Sequence, residues 1–135
     1  MRVIKKIGIV TTALLLCQVL SAQNDAIEKA SHLIDQNKTK EALALLEKSS
    51  SDLHSNPLFY LVRGKAFLKR KAFEKAFQNF DTCIELDPTN ADCHYWKGSA
   101  SLDKLNQTDN FYKKGIYAFD AKKALIKATE MRPSH

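Results

Sequence analysis

A 34-residue stretch, residues 57–90, limits what this chain can fold into more than any other part of the sequence. It contains two short segments that each carry one apolar face at helical spacing, and Asp87-Pro88 ends the second one. When the stretch is shifted back by 34 residues, Ala42 falls in the place of Ala76 and Leu46 in that of Phe80. A period of this length is typical of a repeat protein built from helix pairs.

The landmarks within this stretch resemble the tetratricopeptide repeat, whose pattern is W-x2-LG-x2-Y, then A-x3-F, then P. Tyr60 takes the place of the Trp, Arg63 that of the Leu and Phe67 that of the Tyr. The residues that match the pattern outright are Gly64, Ala76, Phe80 and Pro88. The resemblance implies an all-α fold, a right-handed superhelical array of antiparallel helix pairs, and a function in partner binding without catalysis.

We predict three such repeats, at about residues 23–56, 57–90 and 91–135, and hence about six helices. In each repeat the first helix is called helix A and the second helix B. Each helix has one apolar stripe that it cannot bury alone, and stacked pairs bury these stripes in one continuous core. The Asn56-Pro57 pair supplies the start of the central helix A, because proline is favoured in the first helical turn.

The third repeat departs from the period. Its helix A is predicted over residues 91–105, with Gly98 in the place of Gly64. Counted back from Pro133, its helix-B pattern comes 11 residues late, and the residues of that pattern are Ala121, Leu125 and Ala128. We therefore predict an insertion at about residues 103–114, with a polar centre at 106–110.

The first 22 residues have the order of a secretory signal peptide: a basic start, an uncharged apolar run over residues 7–20, and Ser21-Ala22 before Gln23. The end of this segment resembles export signals of Bacteroidetes-type bacteria. We predict cleavage after Ala22 and a mature domain of residues 23–135 in the periplasm of a Gram-negative cell. The alternatives are an uncleaved anchor and a lipoprotein modified at Cys17, although Cys17 lacks the small residue that precedes a lipoprotein cysteine.

Charge and motif content argue against several classes of function. The net charge is +6, but three of the positive residues precede residue 23, and the rest of the chain has 18 basic and 15 acidic residues. A nucleic-acid-binding domain usually has a stronger and more clustered excess. The four histidines include no i, i+4 pair, and there is no glycine-rich phosphate loop. We therefore predict no enzymatic activity, no cofactor and no metal.

Tetratricopeptide domains line their binding groove mainly with helix A, so the resemblance implies a partner-binding surface. Such a surface, partly apolar with lysines in the middle repeat, suits a peptide that carries a few acidic groups. The repeats that clamp the carboxylate of cytosolic heat-shock chaperones use Lys and Asn where this chain has Ile27, Ser31 and Val62, so that clamp is not expected. The predicted groove residues are Ile27, Ser31, Ile34, Leu58, Leu61, Lys65, Leu68, Lys69, Tyr95, Ser99 and Leu102.

Cys83 and Cys93 are the cysteines that remain after the predicted cleavage. Cys83 lies at a small core position of one helix B, and Cys93 lies early in the helix A that packs against it. In an exported protein the two thiols can form a disulfide that persists. The alternative is a pair of buried thiols that act as small apolar residues.

Two further features leave other functions open. A basic run around Arg70 and the lysines after residue 112 favour either a solvated face or contact with an acidic partner or an anionic membrane surface. An exposed pair among the aromatic residues beside the insertion would mark a second contact site. The alternatives to a free peptide binder are therefore a structural subunit of an envelope assembly and a membrane-peripheral protein. These aromatic residues are Phe111, Tyr112, Tyr117 and Phe119.

Overall fold

A computed structural model describes residues 2–49 and 53–132 of the chain. In this part of the chain six helices of ten residues or more follow one another, and no strand occurs, which confirms the predicted all-α fold. Residues 50–52 of the first predicted repeat and Pro133, from which the third repeat was counted, lie outside the described residues. The helices are α1 (Arg2–Asp35), α2 (Thr39–Lys48), α3 (Pro57–Lys69), α4 (Phe73–Leu86), α5 (Ala91–Gln107) and α6 (Phe111–Met131).

The helices form three antiparallel pairs, each closed by a three-residue turn: α1 with α2, α3 with α4, and α5 with α6. Consecutive pairs stack, because α3 packs on both helices of the first pair and α5 packs on both helices of the second. The odd-numbered helices are the helix A members and the even-numbered ones the helix B members. This arrangement is the predicted helical repeat array, in which each pair covers the apolar faces of its neighbour.

The turns of the first two pairs repeat one backbone conformation at the 34-residue period. Asn37 and Lys71 have positive φ angles of 62° and 59°, in the left-handed region. In the first turn the Lys38 amide donates to the Leu33 carbonyl at 2.8 Å, and the matching bond in the second turn is 3.0 Å. These are the bonds of a Schellman motif, which satisfies carbonyls at a helix end and reverses the chain.

Asparagine begins three of the helices. The Asn56 side chain accepts a hydrogen bond from the Leu58 amide at 3.0 Å, and Pro57 occupies the first turn of α3 as predicted. Asn90 caps α5 and Asn110 caps α6 in the same way. A side-chain cap satisfies amides that the first helical turn leaves without partners and typically stabilises the helix by about 1 kcal/mol.

Phe80 in α4 packs directly onto Gly64 in α3 and is fully buried. A Cβ atom added at Gly64 would lie 2.5 Å from Cε1 of this ring, so any larger residue would require the ring or the helix to shift. The same device recurs in the third pair, where a Cβ on Gly98 would lie 2.8 Å from Cγ of Leu125. The repeat pattern thus pairs a small residue on helix A with a large one on helix B, because the two helices approach closely at that point.

The eleven-residue delay in the third repeat results from longer helices. The turn between α5 and α6 spans only residues 108–110, the same length as the turn between α3 and α4. Helix α5 is four residues longer than α3, and α6 is seven residues longer than α4, which together account for the eleven extra residues. The predicted insertion is therefore an extension of both helices, and we call residues 104–117 the extension hairpin.

Lys104 fastens the extension hairpin to the second pair. Its ammonium donates to the Glu74 carboxylate on α4 and lies 5.2 Å from the centre of the Tyr117 ring and 5.8 Å from that of Phe77. The hydrogen bond to Glu74 raises the pKa of Lys104 above its usual value, although partial burial acts in the opposite direction. The charged form of Lys104 is therefore favoured at this junction.

Helix α1 continues through the predicted cleavage site after Ala22, so it begins far before residue 23, where the first repeat was predicted to start. Its described side chains from Val10 to Gln18 are exposed, and its contribution to the core begins at Ile27. Among the residues that the structure describes, no helix combines the length and apolarity needed to cross a membrane.

Candidate functional site

The three helix A members line a groove of about 480 Å³, which we call the A-helix groove. Ile34, Leu68 and Trp96 give it an apolar floor, and charged and polar side chains surround that floor. A groove of this size accommodates several side chains of a peptide segment. The remaining lining residues are Asp35, Asn37, Thr39, Lys65, Lys69, Lys71, Ser99 and Asp103.

Lys65 holds a positive charge over the aromatic part of the floor. Its Nζ lies 4.7 Å from the centre of the Trp96 ring, within the range of a cation–π interaction. The ring positions the ammonium without neutralising its charge. Lys65 is therefore suited to receive an anionic group beside an apolar surface.

Lys69 has a different role from Lys65, because its ammonium is bound to the protein itself. Nζ donates to the Ile34 carbonyl at 2.8 Å and to Oδ1 of Asn37 at 3.1 Å. A cation is favourable at this place because the carbonyls at a helix C-terminus carry partial negative charge. Lys69 thus fastens the end of α1 to α3.

Lys71 reaches the groove from the strained turn after α3. Its Nζ lies 3.2 Å from Oδ2 of Asp103 on α5, so it joins the second pair to the third. The left-handed backbone conformation costs a residue with a Cβ roughly 1–2 kcal/mol. Among the three groove lysines, Lys65 is therefore the one whose ammonium rests on a ring and not on a carbonyl or carboxylate.

The predicted groove residues separate into three groups in the structure. Five of them line the A-helix groove. Ile27 and Leu61 are each 7% exposed and belong to the core, because the first and second pairs pack together there. Leu58, Tyr95 and Leu102 are exposed beyond the groove, and Ser31 is half-buried outside it. The five that line it are Ile34, Lys65, Leu68, Lys69 and Ser99.

Several groove residues were not among those predicted. Trp96 was detectable as the single tryptophan, but it is displaced by two residues from the repeat pattern. Asn37 and Lys71 lie in the turns that follow α1 and α3, and Thr39 is the first residue of α2, so a helix-A argument leaves all three out. Asp35 ends α1, and Asp103 has the corresponding repeat position in α5, four residues before that helix ends; the sequence carries no separate signal at either place.

Arg63 lies on the opposite side of α3 and was predicted to belong to a basic run. Its guanidinium is 3.9 Å from Glu47 on α2, 3.5 Å from Oδ1 of Asn79 on α4 and 5.3 Å from the centre of the Phe67 ring. Arg63 therefore bridges the helix B members of two pairs. This contact explains how an arginine can stand in the place of the usual leucine.

Cys83 and Cys93 meet between α4 and α5, and the structure joins them as a disulfide. Their Cα atoms are 6.1 Å apart, which lies within the usual range for a bridge, and both residues are fully buried. The bond would tie the second pair to the third. Whether the isolated protein carries it stays a prediction.

Neither a protein-family model nor a curated protein sequence matches the chain. A solved structure does: the second tetratricopeptide repeat domain of Spaghetti (RPAP3), bound to the HSP90 peptide SRMEEVD. The two superpose with a TM-score of 0.64 and 19% sequence identity, over 82% of this chain and 92% of that chain. The fold is that of a tetratricopeptide repeat domain.

The tetratricopeptide-like array offers no evident centre for chemistry in its described part. No group of three or more His, Cys, Asp or Glu side chains that could hold a metal ion occurs in residues 2–49 and 53–132. His94, a buried histidine, donates from Nε2 to the Pro88 carbonyl at 2.9 Å and so supports the turn before α5. The A-helix groove is therefore the candidate site.

Proposed function

We propose that this chain is an exported interaction module that binds a peptide segment with acidic groups in its A-helix groove. The observation that carries the proposal is the Lys65 ammonium over Trp96, beside the apolar floor at Leu68. An apolar side chain of the peptide would occupy this floor, and a neighbouring carboxylate would pair with Lys65. Because the groove is built from packed helices, little ordering entropy is lost when a ligand binds.

The structural neighbour supports peptide binding in general. That domain is bound to SRMEEVD, a peptide with three acidic residues. In this chain Ile27 and Val62 are buried core residues at two of the clamp positions, and Ser31 occupies a third. The carboxylate clamp described for chaperone-binding repeats is therefore not proposed, and the expected ligand is an internal or helical segment whose acid group meets Lys65.

Because the chain's one tryptophan, Trp96, lines the groove, ligand binding there can be followed by tryptophan fluorescence. Peptides selected from an acidic display library on the wild-type protein are expected to change the fluorescence of Trp96 as they bind. Lys65→Glu should weaken these peptides by about tenfold or more, because a carboxylate would face a carboxylate in the groove. Lys65→Arg should retain binding, since it keeps the charge and the contact with the ring.

Lys40→Glu is the matched control, because it makes the same change in charge at an exposed position on α2 outside the groove. It lies in the first turn of that helix, where an acidic residue is tolerated. The groove proposal fails if the selected peptides bind Lys65→Glu as tightly as the wild type, or if Lys40→Glu weakens them equally.

We also propose that residues 1–22 are removed on export to a Gram-negative periplasm. The exposed apolar side chains near Leu14, and a core that starts only at Ile27, support a segment that the domain does not need. Protein isolated from an exporting Gram-negative host is expected to have the mass of a chain beginning at Gln23. The intact mass would indicate an anchor instead, and a lipid adduct on Cys17 would indicate a lipoprotein.

A further inference from the structure

The outward side of α6 carries an apolar stripe that no part of the described chain covers. The helix packs inward through Ala121, Ala124 and Ala128. Tyr112, Phe119 and Ile126 recur at a spacing of seven residues on the other side. Their exposed fractions are 78%, 66% and 49%, and Phe111 at the start of the helix is 91% exposed.

This stripe differs from the other helix B surfaces of the array. When Ala121 is aligned with Ala76 of α4, Phe119 corresponds to Glu74 and Ile126 to Asp81. On α4 those two acids face the next helix and receive Lys104 and Lys97 of α5. On α6, large apolar side chains stand in the places of the acids.

Lysines border the stripe along the helix. A shallow cleft of about 360 Å³ is formed by Phe119 and Ile126 together with Lys122, Lys123, Lys127 and Glu130. Helix α6 contains five lysines and two acidic residues in all. Aromatic and aliphatic side chains on one side of a helix, flanked by lysines, are the features of a helix that lies in a lipid interface. Two copies of the same basic surface would repel each other.

We infer that this outward side of α6 docks onto an anionic phospholipid surface. The rings of Tyr112 and Phe119 and the Ile126 side chain enter the boundary between headgroups and acyl chains, and Lys122 and Lys123 pair with lipid phosphates. The extension hairpin lengthens the docking side, because its seven additional α6 residues add about 10 Å of helix. The A-helix groove stays open in this arrangement, since α6 contributes no residue to it.

The test places a fluorescent reporter on the stripe of the chain as isolated from the exporting host. In the variant Trp96→Phe/Phe119→Trp, vesicles of phosphatidylcholine and phosphatidylglycerol are expected to shift the emission to the blue, and brominated lipid in the same vesicles is expected to quench it. Adding Lys122→Glu/Lys123→Glu should weaken vesicle binding about tenfold or more. The wild-type protein is the control, because Trp96 in the groove should not respond.

Three outcomes would overturn the inference. Equal shifts with pure phosphatidylcholine vesicles would show that the lysines do not contribute to binding. No shift with either kind of vesicle would show that this side of α6 does not dock onto lipid. A blue shift that appears on concentrating the protein without lipid would assign the stripe to a second copy of this chain. Flotation of the wild type against Lys122→Glu/Lys123→Glu, with Lys40→Glu as the charge control, gives the same decision if the tryptophan variant folds poorly.

Discussion

Replacing Phe80 by alanine is expected to lower the free energy of unfolding by about 3–5 kcal/mol. The ring is fully buried and rests on Gly64, so its removal leaves a cavity between α3 and α4 that the helices cannot close without moving. A loss of this size is a large part of the total stability of a small domain. Urea unfolding followed by circular dichroism measures it as a lower midpoint.

Phe111→Ala is the matched control for this prediction. It deletes the same atoms from a ring that is 91% exposed, so we expect a change within about 0.5 kcal/mol. If the two variants unfolded at the same urea concentration, Phe80 would not be the central packing residue of the array. Gly64→Ala tests the other side of the contact, and its overpacking is expected to cost about 1–3 kcal/mol.

Reduction of the Cys83–Cys93 bridge is expected to lower the free energy of unfolding by about 2–3 kcal/mol, as the loop-closure entropy of a short loop predicts. The two residues are separated by 10 positions and connect the second pair to the third. The mass of the exported protein should rise by about 2 Da on reduction, because each of the two thiols gains one hydrogen. Paired urea titrations with and without reductant measure the stability.

The variant Cys83→Ala/Cys93→Ala separates the effect of losing the disulfide from any other effect of the reductant on stability. This variant should match the reduced protein to within the small packing loss of the two sulfurs, and reductant should no longer change its midpoint. Equal masses in both conditions would contradict the disulfide and assign the pair as buried thiols. In any preparation that retains residues 1–22, both proteins should also carry Cys17→Ser, because Cys17 is an exposed free cysteine that could form bonds between molecules.

The central repeat was predictable from local rules. Its starting cap at Asn56, its small residue at Gly64 and its large residue at Phe80 each follow from helix ends or from the close approach of two helices. These constraints recur with a fixed period, so the sequence displays them more than once. The positive φ angle at Lys71 also recurs at the 34-residue period. Lysine is not a residue type that indicates such a backbone conformation, so only comparison with Asn37 would have suggested it.

The form of the third repeat could not be predicted in the same way. The polar residues 106–110 suggested a loop, but Asn106 and Gln107 complete α5 and only residues 108–110 form the turn. The positions of the aromatic residues that follow were equally ambiguous, because the sequence alone does not show whether a ring on a helix is buried or exposed. Tyr117 does pack against Lys104, whereas Phe111 and Tyr112 face outward.

The roles of the groove lysines could not be predicted from sequence, because they depend on tertiary contacts. Lys65 and Lys69 are one helical turn apart, and their spacing assigns them the same role. Their partners differ because the end of α1 happens to reach one of them: the Ile34 carbonyl that binds Lys69 is 35 positions away in sequence. Changing both lysines together would therefore disturb the packing of two repeats as well as ligand contact, and Lys65 alone is the informative position.

The contacts of Lys104 determine how the two proposed surfaces are oriented. One ammonium on α5 holds Glu74 of α4 and lies against Tyr117 of α6, so three successive helices share it. A hinge at the base of the extension hairpin would have to break this shared contact. This contact ties the last pair to the second pair, so a lipid surface beneath α6 would also set the height and tilt of the A-helix groove above the bilayer.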